Sequence, residues 1–128
     1  MTAHTGPMHF AIVEDEPFMA KLVCEMLFEL DARPQVFSGG MDLLKCADRF
    51  GFHTILLDLS LPDIDGFDLM EKLAAQSTGL PVLLMSGHDT AVLNAAQLYG
   101  NGLGLNVRGA LSKPFTQTNL IAALGLAE

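Results

Sequence analysis

The sequence predicts an α/β fold: one domain built on a doubly wound parallel sheet of five strands, flanked by five helices. Three observations predict it. The chain has 128 residues, 50% of them are apolar, and short apolar runs alternate with segments of helical period. Such alternation is typical of a parallel sheet with helices on both faces. We therefore expect a single domain over residues 1–128, with its core over about residues 9–127.

Five apolar runs are short enough to be strands and lie between segments with a different period. Since buried parallel strands read as continuous apolar runs, each suits a strand covered on both faces. The predicted strands are residues 9–13, 34–37, 54–57, 81–85 and 107–111.

The segments between these strands have apolar residues at three- and four-residue steps, which predicts helices. The first begins near Pro17, a residue suited to a first helical turn, and its apolar pattern continues to Leu30. The last has Thr116 as its predicted cap. The four later helices are predicted over residues 41–50, 67–75, about 89–99 and 117–127.

The charge pattern argues against a polyanionic partner. The formal net charge is −8, and the seven basic side chains are spread along the chain instead of clustering. No apolar stretch is long enough to span a membrane, and the first residues lack the pattern of a signal peptide. We expect a cytoplasmic protein that does not bind nucleic acid directly and does not bind a membrane.

Polar side chains follow four of the five predicted strands at their carboxyl ends, where doubly wound folds carry their functional loops. They are Glu14 and Asp15, Asp58, Ser86 and Lys113. Three neighbouring carboxylates repel one another, and Mg²⁺ is the hard cation that best relieves this. The lysine could neutralise a phosphoryl oxygen and the serine could donate to another. Alternatively, each residue is simply a solvated loop residue.

Four short motifs occur in an order and at separations that are highly specific. They are IVEDEP at residues 12–17, LLDLSLPDIDG at 56–66, MSG at 85–87 and KPF at 113–115. Over about residues 10–126 the chain resembles a receiver domain of a bacterial two-component response regulator. The resemblance implies a flavodoxin-like sheet with strand order 2-1-3-4-5.

The resemblance also implies a function. Asp58 would accept a phosphoryl group from a histidine kinase or a phosphotransfer protein, with Mg²⁺ as cofactor and with Lys113 and Ser86 assisting. The metal would be held by Glu14, Asp15, Asp58 and the backbone carbonyl of Ser60. The phosphorylated domain would then switch partner binding or an output domain, so the chain would be a switch and not an enzyme. The Lys113-Pro114 peptide is usually cis in this family.

Two single residues depart from the family pattern. Glu14 stands where Asp is commoner, and we expect metal binding to survive the extra methylene. Ala110 stands where many receivers have a Tyr or Phe whose ring turns inward on activation. Because Ala has no ring, we expect any signal to travel through residues 86–89 and the fourth helix instead.

The segment from Ser86 to Lys113 is several residues longer than usual and contains three closely spaced glycines, which predict a flexible connection before the fifth strand. Its sequence is similar to receivers fused to cyclic-di-GMP phosphodiesterase domains of the EAL type. Only four charged residues occur from residue 86 to the end. The face of helix 4, strand 5 and helix 5 could therefore bind a second copy or an output domain, or its Asn, Gln and Thr side chains could merely be solvated.

Two other functions compete with the phosphorylated switch. One is a degenerate receiver that binds a partner without phosphorylation. The other is a Mg²⁺-dependent phosphatase of the haloacid dehalogenase type with Asp58 as nucleophile. Such enzymes use a second Asp two residues later as acid and base, and that position is Ser60 in this chain.

Overall fold

In a computed structural model, residues 7–46, 51–76, 79–87 and 90–125 are described, and they form five strands that alternate with five helices. The strands are His9–Val13 (β1), Arg33–Phe37 (β2), Thr54–Asp58 (β3), Pro81–Ser86 (β4) and Asn106–Ser112 (β5). The helices are Pro17–Phe28 (α1), Gly40–Cys46 (α2), Gly66–Gln76 (α3), Thr90–Gly102 (α4) and Gln117–Leu124 (α5).

All five strands are parallel and lie in the order β2-β1-β3-β4-β5, which confirms the predicted fold class and strand order. Strand β3 is central and every one of its residues is buried. Strand order reverses between β1 and β3, so the crevice beyond their carboxyl ends is where such a sheet binds ligands. Glu14 directly follows β1 and Asp58 ends β3, which places both at this crevice.

Two apolar cores cover the two faces of the sheet. Helices α2, α3 and α4 pack on one face, and α1 and α5 pack on the other. The fully buried large side chains of β1 and β3 alternate between these cores, as the period of two in a strand requires. They include Phe10, Ile12, Ile55, Leu56 and Leu57.

Strand β1 has the predicted bounds, and the boundaries of the other elements differ from the predicted ones by one or a few residues. Strand β2 begins one residue earlier, at Arg33, and β3 and β4 each include one more residue at their carboxyl ends. Helix α1 ends at Phe28, so Leu30 lies after it, and Phe18 in its apolar pattern is 74% exposed. The predicted helix residues 47–50, 89 and 126–127 lie outside the described residues.

The prediction of a flexible, glycine-rich connection before β5 was wrong for Gly100 and Gly102, because both belong to α4. Gly100 is buried, and a Cβ there would lie 2.7 Å from Cγ2 of Val107 in β5. A glycine at this position lets the helix approach the strand closely. Gly104, with φ of 94°, then ends the helix in the left-handed conformation that favours glycine.

Side chains at the helix ends explain where several helices begin. Glu16 accepts hydrogen bonds from the amides of Phe18 and Met19 at the start of α1. Thr116 and Asn119 form a reciprocal capping box on α5, which confirms the predicted cap.

No helix in the described part of the chain combines the length and the apolar character that crossing a bilayer requires.

Candidate functional site

The three acidic residues predicted from two separate motifs meet at the carboxyl edge of the sheet. Glu14, Asp15 and Asp58 each offer a carboxylate oxygen, and these oxygens all lie within 4.8 Å of one another. Glu14 and Asp58 are each 2% exposed, whereas Asp15 is exposed to solvent. The group therefore has two buried carboxylates and one that faces water.

Asp58 has a hydrogen-bonding partner for each of its carboxylate oxygens. The backbone amide of Ser60 donates to Oδ1 at 3.1 Å, and Nζ of Lys113 lies 3.2 Å from Oδ2. The amide of Leu59 donates to the carbonyl of Met85 at 3.0 Å, which continues the pairing of β3 with β4 one residue past Asp58. The Asp58 carboxylate thus projects from a backbone that is hydrogen-bonded to β4 both within β3 and one residue beyond it.

Glu14 forms the shortest contact of the site. Nζ of Lys113 donates to Oε1 of Glu14 at 2.6 Å, and the amide of Glu16 donates to Oε2 at 3.2 Å. Burial raises the pKa of Glu14 and the negative charge of Asp58 adds to this, while the bonds from Lys113 and Glu16 only partly oppose it.

Lys113 follows β5 and is joined to Pro114 by a cis peptide bond, as the resemblance implies. Its amide donates to the carbonyl of Ser86 at 2.8 Å, which ties the ends of β4 and β5 together. Burial lowers the pKa of Lys113, but its hydrogen bond to Glu14 and the charges of Asp58 and Glu14 outweigh burial and raise it overall. The side chain is therefore a fixed positive charge beside Asp58.

Ser86 is the last residue of β4, is fully buried, and lies opposite Ser112 in the sheet register. Met85 is the register partner of Asp58, so Ser86 lies one residue beyond the level of that carboxylate. Ser60 is exposed and touches the site through its amide. Its carbonyl as a metal ligand stays a prediction.

The chemistry of these donors fits a small divalent cation. Within the described part of the chain, the ion pairs of these three carboxylates involve one ammonium group, that of Lys113, so the cluster carries an excess of negative charge. Mg²⁺ binds through one or two carboxylates and keeps several waters, and the exposed Asp15 leaves room for water on one side. Glu14, Asp15 and Asp58 are thus suitable ligands.

Two acidic residues of the loop between β3 and α3 cap helices. Asp65 Oδ2 accepts from the amides of Phe67, at 2.9 Å, and Asp68, and so caps α3. Asp63 accepts from the amides of Gly40 and Met41 at the start of α2. No local signal could reveal this contact, because its partners lie 22 and 23 residues away.

Comparison with known proteins gives one family. The family model described as "Response regulator receiver domain" matches residues 10–125. "Sensory transduction protein RegX3" of Mycobacterium tuberculosis is 31% identical over 113 residues, which cover 88% of this chain and 47% of that protein. "Probable transcriptional regulatory protein TcrX" of the same organism is 29% identical over 92% of this chain and 48% of its own. The chain spans about half the length of these relatives.

Solved structures share the fold over nearly the whole chain. The receiver domain of sensor histidine kinase PA1611 of Pseudomonas aeruginosa is 25% identical, with a TM-score of 0.77 over 93% of this chain and 95% of that one. That structure has a magnesium ion coordinated in its active-site cleft. Chemotaxis protein CheY4 of Vibrio cholerae is 21% identical, with a TM-score of 0.80 over 94% and 98% of the two chains, and it shows the likeness of fold.

Proposed function

The chain belongs to the response regulator receiver domain family, whose members act in phosphorylation-dependent two-component signalling, and we propose that Asp58 is its phosphoacceptor. The observation that carries this proposal is the position of Asp58. It is buried at the end of the central strand and in contact with Lys113, and its carboxylate lies within 4.8 Å of carboxylate oxygens of Glu14 and Asp15. An anionic nucleophile held beside a cation and a metal-binding group suits phosphoryl transfer, which needs mainly alignment and charge neutralisation.

In the proposed step, a carboxylate oxygen of Asp58 forms a bond to phosphorus while the bond between phosphorus and the donor breaks. With a phosphohistidine donor, the bonding electrons stay on the leaving histidine nitrogen. Lys113 neutralises charge on the phosphoryl oxygens, and the hydroxyl of Ser86 donates a hydrogen bond to one of them. Glu14, Asp15, Asp58 and the backbone carbonyl of Ser60 would hold Mg²⁺, which would supply positive charge to offset the negative charge of the phosphoryl group.

The test is covalent labelling. Incubation with acetyl phosphate and Mg²⁺ should add one phosphoryl group by mass to the wild type and none to Asp58→Asn. Asp68→Asn is a matched control, since Asp68 is exposed on α3, and it should be labelled like the wild type. Equal labelling of Asp58→Asn would contradict the proposal. Absence of all labelling in a protein that still binds a partner would favour the phosphorylation-independent module.

We propose that the chain does not turn over phosphomonoesters. The position two residues after Asp58 is Ser60, which contributes a backbone amide to the Asp58 carboxylate and has no carboxyl group to act as acid and base. Incubation with p-nitrophenyl phosphate and Mg²⁺ should therefore release no more nitrophenol than the Asp58→Asn variant releases. Catalytic release that depends on Asp58 would support the phosphatase instead.

The proposed partners are a histidine kinase or phosphotransfer protein as donor, and a second copy or an output domain on the face of α4, β5 and α5. Leu98 on α4 is 77% exposed, and a groove of about 530 Å³ lies between β5 and α5, with Ala110, Ala122 and Ala123 in its wall. A fusion to an EAL domain stays a prediction. If the face pairs with a second copy, the phosphorylated wild type should have the molecular mass of a dimer by light scattering. The phosphorylated Leu98→Asp variant should then have the mass of a monomer.

A further inference from the structure

The start of helix α2 is capped by a side chain from another part of the chain. Oδ1 of Asp63 accepts from the amide of Gly40 at 3.2 Å, and Oδ2 accepts from the amide of Met41 at 3.1 Å. The residue before the helix is Gly39, which has no side chain to accept these bonds. The hydrogen bond from Met41 lowers the pKa of Asp63 most, and the bond from Gly40 helps it outweigh the opposing effect of burial, so Asp63 caps the helix as an anion.

Both glycines at the start of α2 make room for this contact. A Cβ on Gly39 would lie 2.7 Å from Oδ2 of Asp63, and a Cβ on Gly40 would lie 2.6 Å from Cγ2 of Ile64. Real Cβ atoms do not approach so closely, so any other residue at these positions would displace the side chain of Asp63 or Ile64. The local sequence is therefore adapted to the docking of that loop on α2.

The same loop holds the phosphoacceptor. Ser60, three residues before Asp63, donates its amide to Oδ1 of Asp58 at 3.1 Å. Between Ser60 and Asp63 lie only Leu61, which is 8% exposed, and Pro62, whose ring fixes its φ. A segment that is buried at one residue and stiff at the next transmits a displacement at one end to the other.

We propose that Asp63 is a positioning residue, which holds Ser60 in place at the phosphoacceptor by anchoring the loop to the start of α2. The proposal rests on the proposed function, because Ser60 matters to the reaction only if Asp58 and Mg²⁺ do. Asp63 acts through the loop and has no contact with the reacting atoms in this role. Its loss should loosen the Ser60 amide and weaken Mg²⁺ binding.

The experiment compares Asp63→Ala with Thr116→Ala in the full chain. Thr116→Ala also removes a side-chain acceptor from the start of a helix, but the Thr116 hydroxyl accepts from the amide of Asn119 in its own helix, α5, and does not contact the loop. By isothermal titration with Mg²⁺ alone, Asp63→Ala should bind about fivefold more weakly than the wild type, the change that one lost hydrogen bond produces. Thr116→Ala should bind like the wild type. Urea unfolding of both variants shows whether their losses of stability match.

Hydrogen exchange measured by NMR without metal supplies the second readout. The amide of Ser60 should exchange faster in Asp63→Ala than in Thr116→Ala, and Asp63→Asn, which keeps one acceptor oxygen, should lie between Asp63→Ala and the wild type. If Asp63→Ala does not fold, Asp63→Asn decides. Equal Ser60 exchange in all variants overturns the inference. Failure of the wild type to bind Mg²⁺ or to accept phosphate overturns the proposed function instead, and the exchange comparison still tests the anchoring.

Discussion

Nζ of Lys113 donates to Oε1 of Glu14 at 2.6 Å, although the two residues are 99 positions apart in the chain. The same Nζ lies 3.2 Å from Asp58, so one ammonium group serves two buried carboxylates. Removing one partner from a buried ion pair leaves an uncompensated charge, which costs far more than an exposed pair contributes. We therefore expect Lys113 to contribute to stability as well as to the proposed reaction.

Lys113→Met should destabilise the metal-free protein by about 3 kcal/mol, since it leaves Glu14 and Asp58 without their cation. Mg²⁺ should restore more stability to this variant than to the wild type, because the ion no longer competes with the ammonium group. Urea unfolding with and without Mg²⁺ measures both effects. Lys72→Met, at an exposed position of α3, is the control and should behave like the wild type. Equal stabilisation of wild type and Lys113→Met by Mg²⁺ would contradict the interpretation.

The raised pKa of Glu14 predicts how stability depends on pH. Because burial raises this pKa above its ordinary value of 4.5, the folded state binds the proton more tightly than the unfolded state. The resulting stabilisation is complete below pH 4.5 and is lost as the pH rises through the raised value.

The comparison that isolates Glu14 uses Glu14→Gln, which cannot titrate. Without Mg²⁺, the free energy of unfolding of the wild type relative to Glu14→Gln should fall as the pH rises across this interval. Urea unfolding at a series of pH values measures the difference. A difference that grows with pH would mean that the bond from Lys113 dominates and that the pKa is lowered.

The two glycines of α4 should respond in opposite ways to alanine. A Cβ at Gly100 would lie 2.7 Å from Val107 and 3.1 Å from Sδ of Met70, so Gly100→Ala should destabilise by about 1–3 kcal/mol through overpacking. At Gly102 a Cβ would meet nothing within 4 Å, so Gly102→Ala should stabilise by about 0.5–1 kcal/mol. Thermal unfolding measures both changes. Stabilisation by both variants would show that α4 does not pack on β5 as described.

Features that depend on local sequence patterns were predicted, and two features that depend on contacts between separate segments of the chain were missed. Strands and helices were predictable because apolar period is local, and the convergence of Glu14, Asp58 and Lys113 followed from the edge at which parallel strands end. Gly100 was misassigned because its role depends on Val107, and glycine spacing alone suggests a loop. The cap formed by Asp63 depends on a contact between distant segments, to which no local pattern corresponds.

Ser86 and Ser112 are register partners at the ends of β4 and β5, and only Ser86 is buried. If the Ser86 hydroxyl donates to a phosphoryl oxygen as charge develops, Ser86→Ala should slow labelling by acetyl phosphate about 100-fold, as the loss of one such donor does elsewhere. Ser112→Ala, at the exposed partner position, should be labelled at the wild-type rate. Mass spectrometry over time measures both rates. Either variant removes a single hydroxyl from the same end of the sheet, so the two are matched. Equal labelling rates would mean that the buried Ser86 side chain serves packing alone. Lys113 and the metal would then neutralise the phosphoryl group without help from a hydroxyl.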